Sequence, residues 1–318
     1  MRRKLALMGL MLLAGLTAAR AEYPDRPVKI VVPVGAGGGV DVMARLLAQQ
    51  LGDRLHQTFV VENHPGAAGI IGSKVVIAAP PDGYTLLYTP SSLSLAVVVH
   101  KEPPYDVTKD FTPIINVAIS PYALIVNPSL PVHSLKEFIA YAKANPGKLS
   151  YSSPGVGSAS HLAAELLKLK AGIEMVHVPN KGMHQALLDL MGGQVQVMFA
   201  SVPSFAKQKP DKLRPIAMAE LKRSALLPDL PTMNESGLPG FAVANWAGLL
   251  GPAGLDPKIV NKLHDEIVAI LATPDMKERA KQLGYDMIES SPQQFAEDLK
   301  SDIARWGPVA KRAGISMK

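Results

Sequence analysis

Residues 28–53 read VKIVVPVGAGGGVDVMARLLAQQLGD, and this stretch decides the fold. Val28 to Val32 is a short, largely β-branched run, the pattern of a buried strand. From Asp41 to Gln50 the apolar residues Met43, Leu46, Leu47 and Leu51 recur at helical spacing, and Gly52 is expected to end that helix. Between strand and helix lies a loop of four glycines, Gly35, Gly37, Gly38 and Gly39. Glycines let backbone N–H groups approach a ligand, and a helix start favours an anion without Lys or Arg. Asp41 reads as the N-cap. The alternative is a tight turn whose glycines serve packing alone. A dinucleotide fingerprint starting at Gly35 needs glycine at position 40, which is Val40, so that decoy is weak.

Downstream the alternation continues. Phe59 to Glu62 reads as a second strand, Ala67 to Ala79 as a helical stretch, and Tyr84 to Tyr88 as a third strand after the Pro80-Pro81-Asp82-Gly83 turn. Such a β-α-β-α-β order predicts a parallel sheet with right-handed crossovers. The pattern restarts over Ile114 to Val126. Ser134 with Glu137 forms a capping box. Leu149 to Tyr151 is a strand, Ala159 to Leu169 a helix ending near Gly172, and Met175 to Val178, His184 to Met191 and Val195 to Phe199 continue the series. Asp256-Pro257, Thr273-Pro274 and Ser291-Pro292 each put a capping side chain before a first-turn proline. They open three C-terminal helices, expected to pack on the first domain. The chain then crosses between two α/β domains twice, near Ser120-Pro121 and near Ala244 to Trp246. The predicted fold is α/β: two domains, 22–121 with 246–318 and 122–245, joined by a two-strand hinge with a ligand cleft between them.

The first 21 residues read as an export leader. Arg2, Arg3 and Lys4 precede an apolar run from Leu5 to Ala19, and Ala19-Arg20-Ala21 supplies small residues for cleavage after Ala21. The run is shorter than the ~20 residues a membrane span needs, so a periplasmic mature protein is expected. The sequence carries 33 Lys and Arg against 27 Asp and Glu, but four of the basic residues fall in that leader. The remainder is nearly balanced and holds no basic run with interleaved aromatics, which argues against nucleic acid as a partner. There are no cysteines, which removes thiolate metal sites and cysteine nucleophiles. The histidines show no metal spacing. No cofactor or metal is expected.

The loop Ser152 to Ser158 joins a strand to a helix start, as the first glycine loop does, with Ser160 and His161 in the first turn. Two such loops facing each other would hold both ends of a dianion. Thr89-Pro90-Ser91-Ser92 opens on the same edge of the first sheet and offers hydroxyls. For any single hydroxyl, ordinary capping is an equal reading. An exported hydrolase would need a nucleophile beside a base. Ser158 and His161 are close, but there is no G-x-S-x-G elbow and no evident acid to orient His161.

Taken together, these blocks resemble the solute receptors of tripartite tricarboxylate transporters, the Bug family. The matching segments run from Tyr23-Pro24 and the glycine loop ending at Asp41 through Val61-Glu62-Asn63, Pro81 to Leu87, Tyr105-Asp106 and Gly157 to Leu162. They continue through Val178-Pro179, Gly192 to Val195, Pro231-Thr232 and Trp246 with Gly248 to Gly254. The resemblance implies a two-lobed, type II periplasmic-binding-protein-like fold that closes like a flytrap on a small organic carboxylate and delivers it to membrane transporter subunits. It implies binding without turnover, and a monomer. A periplasmic sensor subunit presenting the same ligand is the alternative. By position, the implied ligand contacts are Gly37, Gly38 and Asp41, then Ser91, then Gly157, Ser158 and His161, with Asn180 and Ala200 where the family varies. Asp41 is expected to support the loop. Ala200 replaces a frequent aspartate and Asn180 a frequent tyrosine, which points to a carboxylate without an amino group, bulkier or less polar than usual for the family.

Overall fold

β1 (Val28–Val32) pairs in parallel with β2 (Phe59–Asn63) on one side and β3 (Thr85–Pro90) on the other. The structure, a computed structural model, describes residues 23–180, 182–206, 208–209, 211–243 and 245–316. The expected leader, 1–21, lies outside them. α1 (Gly39–Leu55) connects β1 to β2. It runs through Gly52 and ends at His56, which takes a left-handed φ of 53°. A helical glycine costs only about 1 kcal/mol against alanine, and the burial of Met43, Leu47 and Leu51 outweighs it. The stretch from Ala67 to Ala79 is not one helix. Ala68 (φ 53°) and Gly69 (φ 97°) break it into a 3-10 turn, Ala67–Gly69, and α2 (Ile70–Ile77).

Two unanticipated elements shape the cleft. α3 (Ser92–Val99) follows β3 directly. The apolar run at 114–126 is two strands, β4 (Phe111–Ser120) and β5 (Tyr122–Val126), in different sheets. The second unanticipated element is the later strand β10 (Asn245–Pro252), which inserts between β3 and β4, antiparallel to both. With β11 (Asp286–Met287) at the edge, the first sheet has the order β11-β4-β10-β3-β1-β2. It is therefore mixed, with the parallel part confined to β1, β2 and β3.

The second sheet contains β6 (Ser150–Ser153), β7 (Val176–Pro179), β8 (Val197–Ser201) and β9 (Arg214–Met218), ordered β7-β6-β8-β5-β9. Its helices are α4 (Leu135–Ala144), α5 (Ala159–Ala171), α6 (Met183–Met191) and the short α7 (Val202–Phe205). α4 starts as predicted, with Ser134 Oγ accepting from the Glu137 N–H at 3.2 Å. The Glu137 carboxylate, however, reaches the His133 N–H rather than that of Ser134. α5 ends at left-handed Gly172 (φ 63°). The C-terminal helices are α8 (Pro257–Leu271), α9 (Pro274–Gln282) and α10 (Pro292–Arg312), capped by Asp256, Thr273 and Ser291 as their sequence predicts.

Each sheet is covered on both faces. α1 and α8 bury one face of the first, with Leu47 and Leu263 among the residues between them. α2, α3 and the start of α10 bury the other around Trp246, Phe295 and Leu299. α10 does not stay with the first sheet. Trp306, Val309 and Ala310, near its far end, join the core under α4 and α5, where Leu95 and Val99 of α3 also enter. Where the two sheets meet, Asn245 pairs with Ser120, so the two crossing strands run side by side. Among the described residues no helix is long and apolar enough to cross a membrane.

Candidate functional site

One carboxylate holds the glycine loop from behind. Asp41 is 2% exposed. Its Oδ2 accepts from the Gly37 N–H at 2.8 Å and Arg45 Nε at 3.1 Å, and its Oδ1 accepts from Asn63 Nδ2 at 2.8 Å. Burial pushes its pKa up, but the bonds from Arg45, Gly37 and Asn63 outweigh burial and hold it below the usual value. Asp41 is not the N-cap. That position is Gly38, in extended conformation with no side-chain cap. Asp41 sits in the first turn because its carboxylate reaches back to the loop, where Gly37 takes a left-handed φ of 85°. The first N–H groups of α1 have no partner inside the helix, and the helix dipole gives this end positive potential.

Ser91 stands at the start of α3. Its N–H donates to Trp246 O at 3.0 Å and its hydroxyl to Asn245 Oδ1 at 2.9 Å. Both partners belong to β10, so this serine ties the start of α3 to a hinge strand.

In the second lobe, Ser158 caps α5. Its Oγ donates to Gly155 O at 2.8 Å and accepts from the His161 N–H at 3.3 Å. The Gly157 N–H donates to His161 Nδ1 at 3.1 Å. The His161 ring stacks on His177 at 3.9 Å, and His177 stacks in turn on Tyr151 at 4.8 Å. Burial, then the His177 neighbour, lowers the His161 pKa to about 4. The imidazole is therefore neutral near pH 7, with Nδ1 as an acceptor for the loop. The Ser158 hydroxyl points at a carbonyl and has no base on it, which is not the geometry of an activated nucleophile.

These helix starts converge on one cavity of about 380 Å³ between the sheets. From the first lobe come Val40 of α1, Ala68 of the 3-10 turn, and Pro90, Ser91 and Ser92. Leu95, Ala96 and Val99 extend that wall along α3. The second lobe contributes the loop from Pro154 to Ser158 with Ala159, and the hinge strands contribute Tyr122 and Asn245. Burial, and then Tyr285, push the Tyr122 hydroxyl up to about 12.

Of the residues predicted from sequence, Ser91, Gly157 and Ser158 line this cavity. Gly37 and Gly38 lie on the exposed loop beside Val40 rather than in the wall. Asp41 and His161 sit behind the two loops. The structure does not bring Asn180 or Ala200 to the cavity. Asn180 Nδ2 donates to Asp189 Oδ2 at 3.0 Å, and Ala200 is fully buried in β8 against the α6 core. Sequence reasoning missed the α3 wall, Tyr122 and Asn245. The signal for α3 was present as Pro90-Ser91-Ser92 before an apolar run, though the three consecutive valines at 97–99 favour strand over helix.

The sequence model described as the tripartite tricarboxylate transporter family receptor matches residues 43–315. Protein BugT of Bordetella pertussis is 36% identical over 324 residues, covering 100% of this chain and 99% of BugT. The solved structure of R. palustris Rpa4515 with adipate is similar at a TM-score of 0.78 and 35% identity, covering 93% of this chain and 100% of the other. MatC (Rpa3494) from Rhodopseudomonas palustris with bound malate gives a TM-score of 0.74 at 32% identity, covering 90% and 99%.

Proposed function

The chain belongs to the tripartite tricarboxylate transporter receptor family, and on that premise we propose that it captures a small organic carboxylate in the cavity between its lobes. Family members are periplasmic binding proteins that work with membrane transporter subunits. The observation that carries the reading is the convergence of three helix starts, those of α1, α3 and α5, on a single cavity. Each start presents N–H donors and about half a positive charge. Together they stabilise an anion with no charged side chain in the wall. The similar structures with adipate and malate support this ligand class.

In this proposal the lobes are 22–121 with 246–318, and 122–245, hinged at Ser120-Pro121 and Asn245. The ligand meets Ser91 at the start of α3 and Gly157 and Ser158 at the start of α5, while Gly37 and Gly38, before the start of α1, close over the rim. Asp41 and His161 shape the two loops. Asn180 and Ala200 make no contact. Binding favours the closed state because only closure lets both lobes touch the ligand at once. The protein binds and releases its ligand unchanged and acts as a monomer. Its leader, 1–21, is removed after Ala21, which N-terminal sequencing of the exported protein checks.

The test is a thermal-shift and calorimetry screen of organic acids against their neutral amides. An acid at ~100 times its Kd stabilises the fold by about 2.7 kcal/mol. Stabilisation by no acid, or equal stabilisation by amides, refutes the proposal. Loss of uptake of that acid on gene deletion assigns the protein to transport rather than sensing.

A further inference from the structure

We propose that the ligand is an extended acid with an apolar body, lying along α3 with its carboxylate at the Ser91–Ser92 end. This rests on the carboxylate reading above and adds the ligand's body, length and direction.

α3 supplies two different surfaces to the same cavity. Its start brings Ser91 and Ser92, and its flank brings the uncovered edges of Leu95, Ala96 and Val99, side chains otherwise buried in the cores. Residues 92, 95, 96 and 99 stand at the i, i+3, i+4, i+7 spacing of one helix face. An anion held at the first turn therefore has an apolar strip running away from it. Seven residues at 1.5 Å each make that strip about 10 Å long. The opposing loop faces it with Val156, a half-exposed apolar side chain at 50%. Pro90 and Pro154 add further apolar surface.

The polar side chains of the wall are largely committed elsewhere. The Ser91 hydroxyl donates to Asn245, and the Ser158 hydroxyl to Gly155. Among the described residues no charged side chain lines the cavity. A hydroxyl or ammonium group along the ligand's body would lose water and meet aliphatic carbon. A buried polar group without a partner is disfavoured, whereas each methylene laid on the strip leaves water favourably.

Calorimetry with the straight-chain acids from acetate to octanoate reads the strip directly. Affinity rises about fourfold per added methylene until the tail passes Val99, then levels off. Succinate binds about tenfold tighter than malate, which differs by one hydroxyl. The exposed-site variant Val156→Asn, which leaves the core untouched, flattens the chain-length series. Affinity that stays level or falls with chain length, malate binding tighter than succinate, or an unchanged series in Val156→Asn overturns the apolar-strip proposal and leaves carboxylate capture standing. If hexanamide binds as tightly as hexanoate, or no acid binds, the carboxylate reading itself fails.

Discussion

Replacing Asp41 with alanine tests whether a buried carboxylate builds the glycine loop before α1. Three donors lose their acceptor: the Gly37 N–H, Arg45 Nε and Asn63 Nδ2. Arg45 is half-exposed and regains water, so its share is below about 1 kcal/mol. The Gly37 N–H, on an exposed loop, is also rehydrated in part. Asn63 keeps its bond to Val34 O at 3.1 Å and accepts from Arg45 at 2.7 Å, but its link to the first turn of α1 is gone. Charge-assisted bonds of this kind are worth about 1.5–3 kcal/mol each, so the total after rehydration is about 2–4 kcal/mol. Guanidinium unfolding at pH 7 measures it. The pH dependence has a definite sign. The folded carboxyl titrates below its ordinary 3.8, so its contribution is complete above that value and is lost as pH falls through the folded pKa. The gap between parent and Asp41→Ala is thus level near neutrality and shrinks below pH 3.8. Ligand affinity falls by about tenfold or more, because Gly37 loses the bond that fixes its left-handed turn. A gap under about 0.5 kcal/mol at pH 7, or one that persists unchanged into acid, refutes the role assigned to Asp41.

Asp302 accepts from Trp246 Nε1 at 2.6 Å, yet burial raises its pKa to about 6. A raised carboxyl weakens the fold as pH climbs from 3.8 through 6, so Asp302→Asn gains on the order of 2–3 kcal/mol at pH 8 and nothing at pH 4. Equal unfolding midpoints at pH 8 would contradict this. Behind the hinge lies a second cavity of about 540 Å³ lined by Glu220, Asp286 and Arg305 among others. Burial, with Asp286 adding to it, raises Glu220 to about 8 against the pull of the Tyr122 N–H and Arg305. Glu220→Gln removes a loss of stability that the parent suffers as pH rises from 4.5 through 8; a parent–variant difference in Tm that does not change over this range rules it out. Gly284 has φ 75°, and a Cβ there would collide with Cγ of Pro203 in α7. Gly284→Ala therefore costs about 2 kcal/mol or more, seen as a lower urea midpoint, and an unshifted midpoint would show that the contact yields freely.

The two kinds of surface in the cavity differ in how far the sequence announces them. Helix starts are local chemistry. Ser134, Ser158, Asp256, Thr273 and Ser291 each accept the N–H bond that their sequence context predicts, and the glycine loop lies where β1 gives way to α1. The alternation of β1 to β3, the family and the two-lobed fold follow from such short-range signals. The rest depends on contacts between distant segments. β10 carries Gly248 and Gly251, which lower strand propensity. They are there because a Cβ at Gly248 would lie 2.6 Å from the Phe295 ring and one at Gly251 2.7 Å from Leu255. α3 lacks a side-chain cap and is rich in valine; it is helical because Leu93 and Ala96 bury against the first sheet while Leu95 and Val99 enter the second core. Trp306 and Val309 of α10 reach that second core in the same way. Packing between lobes, not local propensity, thus makes α3 a helix, and only the edges of Leu95, Ala96 and Val99 that this packing leaves uncovered line the cavity. The helix starts on which the proposed anion capture rests are consequently readable from sequence, while the apolar flank of α3 is placed only by the two cores that claim that helix.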